Sequence, residues 1–137
     1  MERDFDSILR DKGIQPSAQR VAVAQYVFCT EEHPSADRVF REVKRSFPYI
    51  SRATVYNTLN LFVEKGLLRA LRLREDSVVF DPKMETHHHF IDEETGQIHD
   101  VPWELVQVGS LDHLRDYDIQ DYQVVMRGVR KPSAIRD

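Results

Sequence analysis

SRATVYNTLNLFVEKGLLRALRLREDSVVF, residues 51–80, is the stretch whose reading decides the fold. Its first half reads as a helix. Val55, Leu59, Phe62 and Val63 recur at helical spacing and form one apolar stripe, Ser51 supplies an N-cap, and Gly66 a left-handed stop. That stripe leaves Arg52, Thr54, Tyr56, Asn57, Asn60 and Glu64 off the core. After Gly66 the period changes. Leu71-Arg72-Leu73-Arg74 alternates apolar with basic, Glu75-Asp76-Ser77 is a turn, and Val78-Val79-Phe80 is a second strand, so residues 67–80 form a β-hairpin. A capped helix running into a two-stranded hairpin is the closing part of a winged helix-turn-helix, in which the helix before the wing enters the major groove of DNA.

Working upstream, the pattern supplies the helices that such a unit needs. Ser7 to Lys12 closes a short first helix, with Gly13 at its left-handed C-terminal position. Ser17 caps a second helix, whose apolar positions are Val21, Ala24, Val27 and Phe28. His33-Pro34-Ser35 breaks it, and Ser35 caps a third helix carrying Val39, Phe40, Val43 and Phe47, which Pro48 stops. Cys29 is the single cysteine and falls in an apolar stretch, so it is expected to be a buried, inert thiol. A lone cysteine excludes an internal disulfide and a thiolate zinc site, and makes the cytoplasm the expected compartment.

Downstream, His88 to Asp92 and Gln97 to Val101 are β-like and flank the turn Glu93-Glu94-Thr95-Gly96. Trp103 to Leu114 is expected to be helical in part, Ile119 to Gly128 is a strand with Tyr122, Val124 and Met126 alternating, and the tail from Val129 is frayed. No apolar run approaches the roughly 20 residues of a membrane helix, and the first six residues have no apolar signal region.

Charge separates the two halves. The chain as a whole carries 19 Lys+Arg against 23 Asp+Glu, a formal net charge of −4. Up to Phe80 there are 13 basic and 11 acidic side chains; beyond it there are 6 and 12. A mildly basic front half suits a polyanion, and an acidic rear half should face away from one or hold cations.

Two constellations carry chemistry. Arg52 can pair with guanine, Asn57 with adenine, and Thr54 and Tyr56 can touch thymine methyls or phosphates, while Arg69, Arg72 and Arg74 on the wing can grip phosphate. The second constellation is His87-His88-His89. In a strand, His87 and His89 share a face and His88 points the other way. A four-residue loop at Glu93 to Gly96 pairs Asp92 with Gln97 and therefore His89 with Asp100, whose Cβ atoms would lie about 4.5–5.5 Å apart. His87, His89 and Asp100 then converge, His99 joins His88 on the far face, and Asp81, a short connection upstream, can close the site. Imidazoles and carboxylates without thiolate suit Fe(II), Mn(II) or Zn(II). A metallohydrolase would need an acid where Ile91 stands and a general base beside an open position, so an enzyme is not expected; metal storage without DNA binding is the other competing reading.

Six segments taken together resemble the ferric uptake regulator (Fur) family over roughly Leu9 to Gly128: Gln15-Pro16-Ser17-Ala18-Gln19-Arg20, His33-Pro34-Ser35-Ala36-Asp37, Ser51 to Leu59, Phe80-Asp81, His87-His88-His89 and Gly96-Gln97-Ile98-His99-Asp100. The resemblance implies an α+β fold: an N-terminal winged helix-turn-helix over residues 1–80, then a small α/β metal-sensing dimerisation domain over residues 81–137. It implies a homodimer that binds a palindromic operator in double-stranded DNA as a repressor, with no membrane partner. It implies one regulatory divalent metal per subunit, Fe(II) or Mn(II), with Zn(II) able to substitute in vitro. The implied ligands are His33, Asp81, His87, His89 and Asp100, of which His33 comes from the resemblance alone. The implied DNA contacts are Arg20, Arg52, Thr54, Tyr56, Asn57 and Arg72.

Asp at both carboxylate positions, Asp81 and Asp100, is similar to the peroxide-sensing (PerR) branch, in which iron-catalysed oxidation of a ligand histidine, here His33 or His87, releases the repressor. The alternative is an iron- or haem-responsive regulator, because His87 to Phe90 and Asp100-Val101-Pro102 also resemble the haem-responsive (Irr) branch; haem is then a possible ligand. The chain departs from the family in four places. Asp92 and Thr95 stand where many members have a Cys-x-x-Cys pair, so structural zinc is not expected. A further metal site would fall near Thr86, His88, Gln107 and Val129, where only His88 binds strongly. Gln15 replaces a common basic residue, and Thr58 replaces the basic residue that often follows the Tyr-Asn pair, which points to a different base preference.

Overall fold

The computed structural model describes residues 4–74 and 76–132. The chain divides into two compact units after Met84. Four helices and a hairpin make the first: α1 (Phe5–Asp11), α2 (Ala18–Cys29), α3 (Ala36–Lys44), α4 (Arg52–Glu64), β1 (Arg69–Arg74) and β2 (Ser77–Asp81). In the second, β3 (His87–Asp92), β4 (Ile98–Pro102) and β5 (Val125–Gly128) form one sheet in the order β4-β3-β5, joined by two single 3₁₀ turns, Trp103–Leu105 and Leu111–His113.

Side-chain caps set where the helices begin. Ser17, Ser35 and Ser51 each lie in extended backbone and accept a hydrogen bond from the amide three residues on. Gly13 and Gly66 take φ of +77° and +80° just after α1 and α4, the left-handed conformation that a side chain disfavours. The apolar faces meet in one core of Leu9, Val23, Val27, Val39, Val55, Leu59 and Phe62, with Phe28 stacked between Phe5 and Phe62 at ring centroids 6.2 and 5.7 Å. The hairpin is tied to the helices by a bridge between Val79 and Ser35 and by Phe80 N donating to Pro34 O at 3.0 Å.

Several expectations are corrected. The first helix begins two residues earlier, because Asp4 and not a later residue caps it, accepting from Ser7 N. The third helix ends at Lys44, ahead of Phe47 and Pro48. Ser77 is not in the turn but opens β2, opposite Arg74, after a register shift that follows Arg72. Thr58 is buried, donating Oγ1 to Thr54 O at 2.7 Å, so it extends the core stripe of α4. Cys29 is exposed: it is the last residue of α2, where the helix turns its polar side.

The rear unit departs most. Residues 103–114 are helical in part, as expected, but only as two 3₁₀ turns, since Pro102, Gly109 and the short apolar spacing support no continuous stripe. The last strand covers only Val125–Gly128, and residues 119–124 approach it as irregular chain. The strand register, in contrast, is as counted, with His89 opposite Asp100 and Phe90 opposite His99. The frayed-tail expectation lies outside the described residues from position 133 onward. Among the described residues no helix is long and apolar enough to cross a membrane.

Candidate metal centre and DNA-reading face

Within the rear unit the pleat puts His87 and His89 on one face, their rings 4.6 Å apart. Each ring is oriented by its Nδ1. That of His87 donates to the carbonyl of Glu85 at 2.8 Å, and that of His89 to Gln123 Oε1 at 2.7 Å. Both Nε2 atoms are therefore aimed at Asp100 Oδ1, at 3.3 Å from His87 and 3.8 Å from His89.

That arrangement has a definite electrostatic meaning. A neutral imidazole whose Nδ1 carries the proton presents a lone pair at Nε2. Two lone pairs facing a carboxylate oxygen repel unless a positive charge lies among them, as a proton or as a metal ion. Donors about 2.1 Å from one ion and near-tetrahedral or octahedral to each other are about 3–3.4 Å apart, close to the His87–Asp100 separation. The donor set thus fits a borderline divalent cation.

His88 is a different kind of histidine. It points to the far face, is fully buried, accepts from Val124 N at 2.9 Å through Nδ1, and stacks on Trp103 at 4.4 Å and 14°. It packs the sheet, and His99 lies on the same side, 6.3 Å from the Phe90 ring.

Within the front unit, the loop between α2 and α3 is held against β2 by the Pro34–Phe80 hydrogen bond, which brings His33 Nε2 to 3.2 Å from Asp81 Oδ2. Both side chains are buried, and Asp81 Oδ1 accepts from Lys83 N at 2.9 Å. Asp81 is the last residue of β2 and so is fixed by the hairpin ladder, opposite Arg69.

The residues expected to read DNA lie on the front unit. Arg52, Tyr56 and Asn57 are exposed on α4, and Thr54 is half-buried. Arg20, Thr54 and Asn57 line a common hollow of about 350 Å³ with Ser17 and Gln19, and Arg20 donates to Gln15 O at 2.8 Å. Arg72 is exposed on β1, opposite Val78. Sequence reasoning missed two residues here. Asp37 pairs with Arg52 and accepts from Tyr56 Oη at 2.7 Å, and Gln123 orients His89; neither is near its partner in sequence, and the segment His33 to Asp37 gave Asp37 no role of its own. The Tyr56 hydroxyl, followed by Arg52, holds Asp37 below the usual carboxylate value, and the same hydrogen bond is the first cause that pushes the Tyr56 phenol up.

Comparison with known proteins agrees with this architecture. The profile described as the ferric uptake regulator family matches residues 11–127. A peroxide-responsive repressor, PerR, of Staphylococcus aureus strain Mu50 is 34% identical over 125 residues, covering 90% of this chain and 84% of the relative. Among solved structures, a zinc-bound manganese uptake regulator superposes with a TM-score of 0.71 at 21% identity, over 94% of this chain and 100% of the other. The Vibrio cholerae ferric uptake regulator gives 0.69 at 18% identity, over 93% and 100%.

Proposed function

The chain belongs to the ferric uptake regulator family, and from that premise we propose that it is a metal-dependent DNA-binding repressor. The ion's ligands are His33, Asp81, His87, His89 and Asp100. The observation that carries the reading is the pair of Nε2 atoms directed at one Asp100 oxygen while each Nδ1 is committed to an oxygen acceptor. In the front unit, His33 likewise presents Nε2 to a buried carboxylate, Asp81 Oδ2 at 3.2 Å. Metal binding and DNA affinity are thermodynamically linked in this reading, so each raises the other.

The active form is a homodimer. Leu105, Tyr117 and Val129 of the rear unit are 74%, 70% and 57% exposed, and a second copy would cover such apolar side chains. Two copies present two α4 helices to the half-sites of a palindrome, with Arg20, Arg52, Thr54, Tyr56, Asn57 and Arg72 as contacts.

The signal is hydrogen peroxide. The similarity to a peroxide-responsive repressor supports this reading, as do aspartates at both carboxylate positions. Iron held by these residues would supply the reduction of peroxide; the net change would be one oxygen atom from peroxide added to the imidazole of His33 or His87, with water as the other product. An oxidised imidazole is a poor ligand, so the metal and then the DNA are released.

The test begins with anaerobic purification and metal analysis. DNA binding of the Mn(II) and Fe(II) forms is then measured before and after peroxide, with mass spectrometry of both. Binding that survives in the Mn(II) form and is lost in the Fe(II) form, with one oxygen on His33 or His87, is expected. Release of DNA by unmodified protein defeats the peroxide mechanism. Absence of DNA binding with any metal defeats the repressor.

A further inference from the structure

The side chains assigned to DNA reading are not independent of one another. Arg52 and Tyr56 are four residues apart on α4 and so project from one face. Opposite them, in the first turn of α3, stands Asp37. Its Oδ1 accepts from the Tyr56 hydroxyl at 2.7 Å and pairs with Arg52 Nη1 as well. One turn further along α3, Phe40 lies under the same guanidinium, with Arg52 Cζ 4.6 Å from the ring centroid. A flexible arginine is thereby gripped at an edge and at a face. Arg52 and Asp37 remain 61% and 56% exposed, so the cluster is a surface feature and not part of the core.

A carboxylate is an odd group to find here. It repels phosphate, and on charge alone it lowers affinity for any duplex. Its gain must lie elsewhere. Arg has five N–H donors, and committing one edge to Asp37 leaves the rest in a fixed direction for a bidentate contact with guanine. Holding the guanidinium beforehand also reduces the side-chain ordering that binding would otherwise require.

We propose that Asp37 is the specificity-setting residue of the DNA-reading face: it aims Arg52 and Tyr56 at base edges as one unit and weakens sequence-independent attachment. The inference rests on the DNA-binding reading above and names a role within it. Asp37 acts through Arg52 and Tyr56, and is a positioning residue.

The experiment uses Mn(II)-loaded full-length protein and a randomised duplex library. Wild type, Asp37→Asn and Asp37→Glu are each selected, and affinities for the enriched duplex and a scrambled one are measured across salt. Asp37→Asn is expected to bind the scrambled duplex more tightly, to lower the ratio of enriched to scrambled affinity by about tenfold, and to broaden the motif where Arg52→Ala broadens it. Asp37→Glu should restore part of the ratio. If wild type enriches a motif and Asp37→Asn keeps the same motif and ratio, the role of Asp37 is overturned and the DNA reading stands. If wild type enriches nothing, both fall. Asp37→Asn should keep a single cooperative thermal transition only slightly below that of wild type, which separates the effect from misfolding.

Discussion

Gln123 accepts a hydrogen bond from His89 Nδ1 at 2.7 Å, and by doing so decides which nitrogen of that ring faces Asp100. The residue sits 34 positions away in the chain and reaches the ring because β5 lies beside β3. Outer partners of this kind fix tautomer and ring direction in metal sites. Gln123→Ala is therefore expected to weaken Mn(II) or Zn(II) binding by about 10- to 100-fold, while Gln123→Glu, which keeps an acceptor, holds most of the affinity. Competition with a chelating dye measures this; equal affinities for all three proteins would refute it.

Asp100 meets both histidines, so its removal should be felt more than that of either ring's support. Asp100→Asn keeps the shape but removes the one carboxylate among the three rear donors. Metal affinity should fall by well over tenfold, yet the metal-free protein should unfold within about 1 kcal/mol of wild type, because the isosteric amide fills the same space and can donate to the Nε2 lone pairs that the carboxylate faces. Isothermal titration and denaturant unfolding together check both halves of the statement. A variant that binds metal normally removes Asp100 from the ligand set.

Side-chain hydrogen bonds hold the turn between β3 and β4. Asp92 Oδ1 accepts from Glu94 N at 2.9 Å and Thr95 N at 3.4 Å, and Thr95 Oγ1 accepts from Gln97 N at 3.1 Å. Asp92 is buried, so Asp92→Ala leaves amides unpaired and should cost about 1–3 kcal/mol. Hydrogen exchange at Glu94 and Thr95 should speed up first. Wild-type protection at those amides in the variant would show that the turn holds itself by other means.

In the front unit, Phe62 is fully buried and stacked on Phe28. Phe62→Ala should cost about 3–5 kcal/mol through lost contact and a residual cavity, read as a lower midpoint in denaturant. A loss under about 1 kcal/mol would mean that the core collapses around the gap.

Acid and alkali should both loosen the contact between α3 and α4. Asp37 is held below its ordinary 3.8, chiefly by the Tyr56 hydroxyl, and Tyr56 above its ordinary 10.0, chiefly by Asp37. A carboxyl with a lowered value stabilises where it is ionised, and that contribution fades as pH falls through the lowered value. A phenol with a raised value stabilises where it is protonated, and loses this as pH rises through the raised value. The contact is thus at full strength between about pH 4 and 10. An alkaline titration followed by tyrosinate absorbance should show one phenol ionising late, and Asp37→Asn should bring it back.

Local rules made much of this molecule readable. Ser17, Ser35 and Ser51 announce their helices because a hydroxyl one residue ahead of an apolar stripe has one obvious partner, the third amide beyond it. The pairing of His89 with Asp100 follows from a count, since a four-residue turn fixes every later pair. What escaped depends on partners distant in sequence. Residues 103–118 show an apolar pattern without a period, and the alternation from Ile119 onward gives no sign that pairing with β3 begins only at Val125. Asp37 looks like an ordinary helix-start acid until Arg52 and Tyr56 arrive beside it.

The parallel strand sets an order of events as well as a shape. β5 pairs with β3 through Val125 opposite His89, and Val124 both receives the His89 amide and supplies its own to the His88 ring. A ribosome delivers every candidate ligand, from His33 to Asp100, before it delivers the segment that braces two of the three consecutive histidines. Hairpin β3–β4 can zip early, since its contacts are local, but the rings settle only after a far longer loop has closed. A nascent chain halted ahead of Tyr122 would hold all five proposed ligands and still be a poor trap for a metal.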